Sequence, residues 1–372
     1  MKVVDRWQER AERLVRLLVE KGKVSSAAWQ AAVRAIPRHE FVPVFHERRG
    51  GAWEVVDETH ERWLELVYSN TALVTLLDEV PISSSSEPGL MTRMLEALDV
   101  RDGDRVLEIG TGTGYNAALL AHRLGDANVF SVDVESGLVE AAGRRLAALG
   151  YNPVLAEHDG TDGLPEHAPY DRIIATCAVS EVPWAWVEQI REGGLILADV
   201  KLGLFAGNLA LLRRAGDRAE GRFVPGWADF MDLRHPGKTE PAKHPERDHA
   251  RARVRTTELL TERPWEQTPL WFLAHTRFPP GLRFGYAMDA ATGGPGAVFL
   301  STVDGSWCEI STTVDGGVRE VREAGPVALW RIVEEVTDLW HAKGNPDWER
   351  FGLTVTEHSW WAWLDAPENK LL

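Results

Sequence analysis

Ten residues constrain this chain more than any others: Val106-Leu107-Glu108-Ile109-Gly110-Thr111-Gly112-Thr113-Gly114-Tyr115. Val106, Leu107 and Ile109 make a short apolar run of the kind a buried parallel strand needs. The run stops at Gly110, and Gly112 and Gly114 follow at alternate positions. Residues 116–124 read as a helix, closed by Gly125, since glycine is a common helix stop. Strand, glycine turn and helix form the nucleotide-binding half of a Rossmann-like unit. Glycine is needed where the backbone turns sharply and a ligand must come close to it.

The spacing selects the ligand. A dinucleotide loop reads Gly-x-Gly-x-x-Gly. Here glycines alternate strictly after an acid inside the strand end, Glu108-x-Gly110-x-Gly112-x-Gly114. That pattern resembles the first motif of class I S-adenosylmethionine (SAM) methyltransferases. SAM has no phosphate; its amino-acid end carries an ammonium and a carboxylate, and a helix N-terminus suits the carboxylate.

The rest of the chain fits an open α/β sheet. Residues 128–133 form a second strand ending at Asp133-Val134, where a carboxylate can accept both ribose hydroxyls. Residues 136–149 form a helix stopped by Gly150, and residues 153–156 a third strand reaching Asp159-Gly160. Asp159 is placed to accept from an adenine amino group. Residues 170–176 and 195–200 are the fourth and fifth strands, and residues 208–213 and 222–224 are expected to complete the sheet. Ligands of such sheets bind beyond the carboxyl ends of the strands. Glu108 to Gly114, Asp133, Asp159 and Thr176-Cys177-Ala178 all fall there.

Upstream, residues 5–21 carry Trp7, Leu14, Leu17 and Leu18 at the spacing of an amphipathic helix. Residues 25–35 suggest a second helix capped by Ser25 or Ser26. Residues 36–43 end a helix at Pro37 and continue extended to Pro43, a structural role. After an expected strand at residues 71–76, Ser83-Ser84-Ser85-Ser86-Glu87-Pro88-Gly89 has the composition of a polar loop.

Composition narrows the classes. The chain has 372 residues, 44% hydrophobic and 26% charged, enough to bury a core in one large or two ordinary domains. A net charge of −15 argues against a nucleic-acid partner. Two cysteines, Cys177 and Cys308, suit a reducing cytoplasm. The charged N-terminus lacks a signal-peptide core, and no run approaches the ~18 apolar residues of a membrane span.

Over residues 25–232 the chain resembles the protein-L-isoaspartate O-methyltransferase family. Residues 36–43 look like its Val-x-Arg-x-x-Phe-Val-Pro segment. Ser84 to Pro88 look like its Thr-Ile-Ser-(Gln or Ala)-Pro substrate loop. Leu107 to Tyr115 match its glycine motif, Asp159-Gly160 its adenine-side pair, and Tyr170-Asp171-Arg172-Ile173 its fourth strand. Ser84-Ser85 departs from Thr-Ile, and Gly89 stands where a histidine or tyrosine is common. The resemblance implies an α/β, class I SAM-dependent methyltransferase (Rossmann-like) domain with N-terminal helices over residues 1–235. A linker at 236–256 and a C-terminal α+β extension at 257–372 follow. It implies SAM bound by Glu108, Gly110, Thr111, Gly112, Gly114, Tyr115, Asp133, Val134, Asp159, Gly160 and Thr176. The expected catalytic residues are Ser84, Ser85 and Ser86; Ser86, Gly89, Cys177, Ala178 and Val179 would hold the acceptor. No metal is expected.

An acceptor carboxylate is already ionised at pH 7 and needs no general base, and no His or Lys stands in the loop after the fourth strand. Catalysis then rests on positioning and desolvation. The long extension resembles the branch of the family associated with ribosomally made, modified peptides of the lanthipeptide and graspetide type. That branch esterifies an aspartate in a constrained peptide, and the ester closes to a succinimide or opens to isoaspartate. Isoaspartate repair and a non-catalytic SAM- or peptide-binding role are the alternatives. Nine of the sixteen tryptophans lie in residues 265–363, which suits either a small core or a peptide-binding face.

Overall fold

The computed structural model describes residues 7–237, 243–261, 263–289 and 293–371. The fold is a mixed α/β methyltransferase fold. Strand β1 (Phe45–Arg49), β2 (Ala52–Val56), β3 (Leu73–Asp78) and β4 (Val80–Ser85) form a small sheet in the order β2-β1-β3-β4. The main sheet starts with β5 (Val106–Ile109), β6 (Val129–Asp133), β7 (Val154–Glu157), β8 (Tyr170–Val179) and β9 (Ile190–Lys201), all parallel. It turns antiparallel through β10 (Gly207–Ala215) and β11 (Arg218–Phe223).

The expected sheet stops too early. Beyond β11 the sheet gains β17 (Phe351–Thr356) and β18 (Trp360–Leu364), giving nine strands in the order β18-β17-β11-β10-β9-β8-β5-β6-β7. Between them lie β12 (Arg253–Thr257), β13 (Arg283–Met288), β14 (Pro295–Ser301), β15 (Trp307–Ser311) and β16 (Arg319–Ala324), a separate sheet in the order β12-β16-β15-β14-β13. The extension is therefore α+β, with helices Thr268–His275 and Leu329–Ala342. Of the stretch read as linker, Arg253 to Thr256 pair with β16, while residues 238–242 lie outside the described residues.

Side chains alternate across a strand, and the two faces of the main sheet are covered by different parts of the chain. Val106, Ile174, Leu197 and Leu209 pack with the N-terminal helices, including Leu14, Leu18 and Val33. Leu107, Ile173, Ile196 and Ala210 pack toward the extension, including Trp271, Phe272, Trp330 and Trp348. Phe223 on β11 meets Phe272 at 5.3 Å and Trp348 at 4.9 Å between ring centres.

Three local expectations change. Ser26 occupies the N-cap of helix Ala27–Ala35 without a side-chain cap. Glu96 instead accepts from the Ser25 and Ser26 amides, at 2.8 and 2.6 Å. Arg38–Phe41 forms a helical turn rather than extended chain. The serine stretch is a strand through Ser85, paired with β3, because ladder bonds satisfy its backbone where composition alone suggests a loop. Among the described residues no helix is long and apolar enough to cross a membrane.

Candidate functional site

The chain runs from β5 outward to β6 and β7, then crosses back to β8 on the other side of β5. That reversal leaves a crevice at the carboxyl ends of β5 and β8, where open α/β sheets bind ligands. A cavity of about 570 Å³ lies there.

Its floor is the glycine turn. Gly110, Gly112 and Gly114 have φ of +98°, +52° and +86°, values L side chains rarely adopt. A Cβ at Gly110 would sit 2.8 Å from Thr176 Oγ1. A Cβ at Gly112 would point at Ser83 Oγ, 3.7 Å away. The turn and the serine strand thus face each other across the cavity.

The acids around the turn have distinct duties. Asp133 ends β6, and one carboxylate oxygen accepts from the Gly112 amide at 2.9 Å. Its other oxygen accepts from the Glu135 amide at 3.1 Å, so Asp133 also braces the turn. Glu108 is fully buried and accepts from Asn116 Nδ2 at 2.7 Å and Ser131 Oγ at 2.6 Å. Burial pushes its pKa up to about 7, against those two hydrogen bonds. Asn116 Oδ1, in the cavity lining, is buried without a partner.

Of the expected residues, Ser84, Ser85, Ser86, Glu108, Gly110, Thr111, Gly112, Tyr115, Asp133, Val134, Gly160, Thr176 and Cys177 line the cavity. Gly89, Gly114, Asp159, Ala178 and Val179 are not among its lining residues. Asp159 accepts from Thr161 and faces His235 Nδ1 at 3.0 Å. Gly89 donates its amide to Asn70 Oδ1 at 2.7 Å, and a Cβ there would come 2.9 Å from that oxygen. Its missing side chain therefore accommodates Asn70. Ala178 pairs with a segment that the sequence reading missed, donating to Met231 O and accepting from Leu233 N.

That segment, residues 227–234, forms the opposite wall. Lys201 holds it through Asp229 at 3.2 Å, Asp232 at 3.0 Å and the carbonyl of Phe230. Asp199, fully buried on β9, accepts from the Phe230 amide at 2.8 Å. Its second oxygen has no partner, and burial pushes its pKa up to about 7. No motif marks this segment, because its place depends on backbone bonds to distant strands. Trp227, 48% exposed, stands on the rim. From it an aromatic row leads onto the extension: Phe205 at 6.1 Å, then Phe284 at 6.3 Å, Trp265 at 4.7 Å and Tyr286 at 6.2 Å between successive ring centres.

The donor set fits SAM. The turn allows close backbone approach, and Asp133 and the orphan Asn116 oxygen are acceptors suited to hydroxyl and ammonium donors. Five carboxyl groups line the cavity against three cationic side chains, which favours a sulfonium cation.

Comparison with known proteins follows the same lines. A family model described as protein-L-isoaspartate(D-aspartate) O-methyltransferase matches residues 9–219. The chain is 34% identical over 199 residues to a protein-L-isoaspartate O-methyltransferase of Ignicoccus hospitalis, covering 52% of this chain and 83% of the relative. It is 33% identical to that of Methanothermobacter thermautotrophicus, covering 59% and 93%. A solved protein-L-isoaspartate O-methyltransferase shares the fold over 96% of this chain and 100% of its own, with a TM-score of 0.58 and 24% identity.

Proposed function

The chain belongs to the protein-L-isoaspartate(D-aspartate) O-methyltransferase family, whose members are SAM-dependent carboxyl methyltransferases, and on that premise we propose that it esterifies the side-chain carboxylate of an aspartate in a constrained ribosomal peptide. The observation that carries the carboxylate acceptor is the apposition of the serine strand to the glycine turn in a cavity with no histidine among its described lining residues. A carboxylate acceptor is ionised at neutral pH and asks for no base.

SAM supplies the electrophilic methyl group. The chain's residues do the rest by position. Gly110 and Gly112 keep the backbone open to the donor, and Asp133 accepts from the ribose hydroxyls. Glu108 fixes Asn116 and Ser131 beneath the turn. Ser86 orients the acceptor carboxylate, with Ser84 and Ser85 beside it and Cys177 opposite. Tyr115 closes the floor; burial pushes its pKa up to about 12, so it stays neutral. In the peptide product, attack of the following backbone nitrogen on the ester carbonyl expels methanol and leaves a succinimide.

The constrained peptide is supported by the departure of the acceptor strand, Ser84-Ser85, from the family pattern; Gly89 lies in the helix that follows, where its missing side chain makes room for Asn70 rather than for a ligand. The aromatic row from Trp227 to Tyr286 supports a recognition role for residues 257–372. A macrocycle has lost conformational entropy before it binds, which suits rigid aromatic contacts. The second reading, repair of isoaspartyl residues, is favoured by the relatives' names. The extension's fold does not separate the two, because a protein named for the isoaspartyl reaction shares it. The proposed compartment is the cytoplasm, in keeping with the unpaired Cys177 and Cys308.

The test offers full-length protein and SAM to a cyclic aspartyl peptide, its linear form and an isoaspartyl peptide. The expected product is the cyclic peptide heavier by ~14 Da, or lighter by ~18 Da after ring closure, with Ser86→Ala several-fold slower at unchanged SAM affinity. Preference for the isoaspartyl peptide establishes the repair reading instead. Methyl that survives mild base would remove the carboxylate acceptor altogether.

A further inference from the structure

The cavity poses an electrostatic problem for an anionic acceptor. Its lining holds Glu87, Glu108, Asp133, Asp229 and Asp232 against Lys23, Arg93 and Arg234. Arg93 is committed to the carbonyls of Pro225 and Trp227, and Arg234 to Glu135. A carboxylate entering this field needs a compensating charge.

Behind the serine strand lies Arg38, fully buried. Its guanidinium donates to Ser85 Oγ at 3.2 Å, Ser85 O at 3.4 Å and Ser86 O at 3.1 Å. It also donates to the carbonyls of Val67, Ser69 and Thr71 at 2.8, 3.1 and 3.2 Å. Every partner is a neutral oxygen; among the described residues no carboxylate reaches it. Burial pushes its pKa down to about 10, which leaves it charged at neutral pH. A buried charge without a counter-ion is costly, and in a low-dielectric wall its field reaches far.

We propose that Arg38 is a specificity-determining residue: its uncompensated charge, transmitted through Ser85 and Ser86, selects an ionised carboxylate acceptor over a neutral amide of the same shape. The inference rests on the carboxylate-acceptor reading. The guanidinium polarises the Ser85 and Ser86 peptide units, and polarised chains of hydrogen bonds strengthen one another. Arg38 does not itself line the cavity; on the donor side its guanidinium faces the ring of Tyr115, 5.9 Å away, and its hydrogen bonds run to the serine strand and residues 67–71.

The same bonds also latch the strand to residues 67–71, so the test must separate charge from latch. Full-length Arg38→Gln, Arg38→Lys and Lys23→Gln are compared by inhibition of methyl transfer. The probes are paired peptides with a carboxylate or a carboxamide at the acceptor residue. Arg38→Gln keeps amide donors without charge and is expected to lower the carboxylate preference about tenfold, with SAM affinity by calorimetry unchanged. Arg38→Lys keeps the charge while changing the latch, and is expected to keep the preference at pH 7 and to weaken it as pH rises, because burial disfavours a charged lysine as it does the arginine. Of the titratable groups facing Arg38, burial raises Tyr68, raises Tyr115 to about 12 and lowers His39; Glu108 in the cavity lining is raised to about 7, so the pH profile of Arg38→Lys is read as its difference from wild type. Lys23→Gln removes a lining cation without touching the Arg38 bonds, and the carboxylate preference is expected to survive it.

A preference unchanged in Arg38→Gln, or lost at pH 7 in Arg38→Lys although the charge is kept, makes Arg38 a latch only and overturns the proposal. So does loss of the preference in Lys23→Gln. The Lys variant decides the matter even if the Gln variant does not fold. A wild-type protein that fails to prefer the carboxylate peptide overturns the acceptor reading itself, which is a separate result.

Discussion

The glycine turn and the C-terminal extension are built in opposite ways. The turn removes side chains so that backbone and ligand can meet, and its acids are held by short bonds to neighbours on β5 and β6. The extension fills space with large rings: Trp271 and Trp330 are fully buried, and Trp307, Trp348 and Trp363 nearly so. Most of its tryptophans are core, and only the edge carrying Phe284 and Tyr286 continues toward the cavity rim. The extension adds two strands to the main sheet and covers one of its faces. A chain ending near Arg234 would leave Phe223 and the edge of β11 bare, so recognition by the extension has to be tested with point variants of the whole chain.

The largest expected effect is on the turn. Gly110→Val meets both a φ of +98° and Thr176 Oγ1 at 2.8 Å. SAM affinity by calorimetry is expected to fall about a hundredfold as the turn shifts. An unchanged affinity would mean that the donor does not use this turn, and the contrast with the extension would collapse.

A smaller effect is expected where the two regions meet. Trp227→Ala and Tyr286→Ala, made separately in the full chain, should each raise the KM for the acceptor peptide by about tenfold, the scale of an aromatic contact, with SAM affinity constant. If only Trp227→Ala acts, the peptide stops at the rim and the extension is purely a structural cover.

The smallest concerns stability. Burial raises the Asp199 carboxyl to about 7 in the folded chain, above its unfolded value. The folded state then holds the proton more tightly, so the contribution is full below about pH 4 and is lost as pH rises through 7. Asp199→Asn keeps the acceptor for the Phe230 amide and cannot ionise. Its Tm should match wild type at pH 4 and exceed it by a few degrees at pH 8. Parallel curves would show that Asp199 is not held protonated under residues 227–234.

The sequence alone determined the parts whose physics is local. Alternating glycines permit the positive φ that a ligand-binding turn needs, Asp133 follows from the end of an apolar run, and Rossmann-like order follows from strand and helix periods. Arg38 was visible only as a member of a segment with a structural role, and Ser83 to Ser85 looked like a loop, because a ladder partner such as β3 leaves no mark on composition. Tertiary structure alone decided which residues converge. It turned Asp159 toward His235, placed residues 227–234 over the cavity through Lys201 and Ala178, and carried β17 back to β11 across more than a hundred residues. These pairings join backbone groups and faces that are far apart in sequence, and no spacing rule within one segment encodes them.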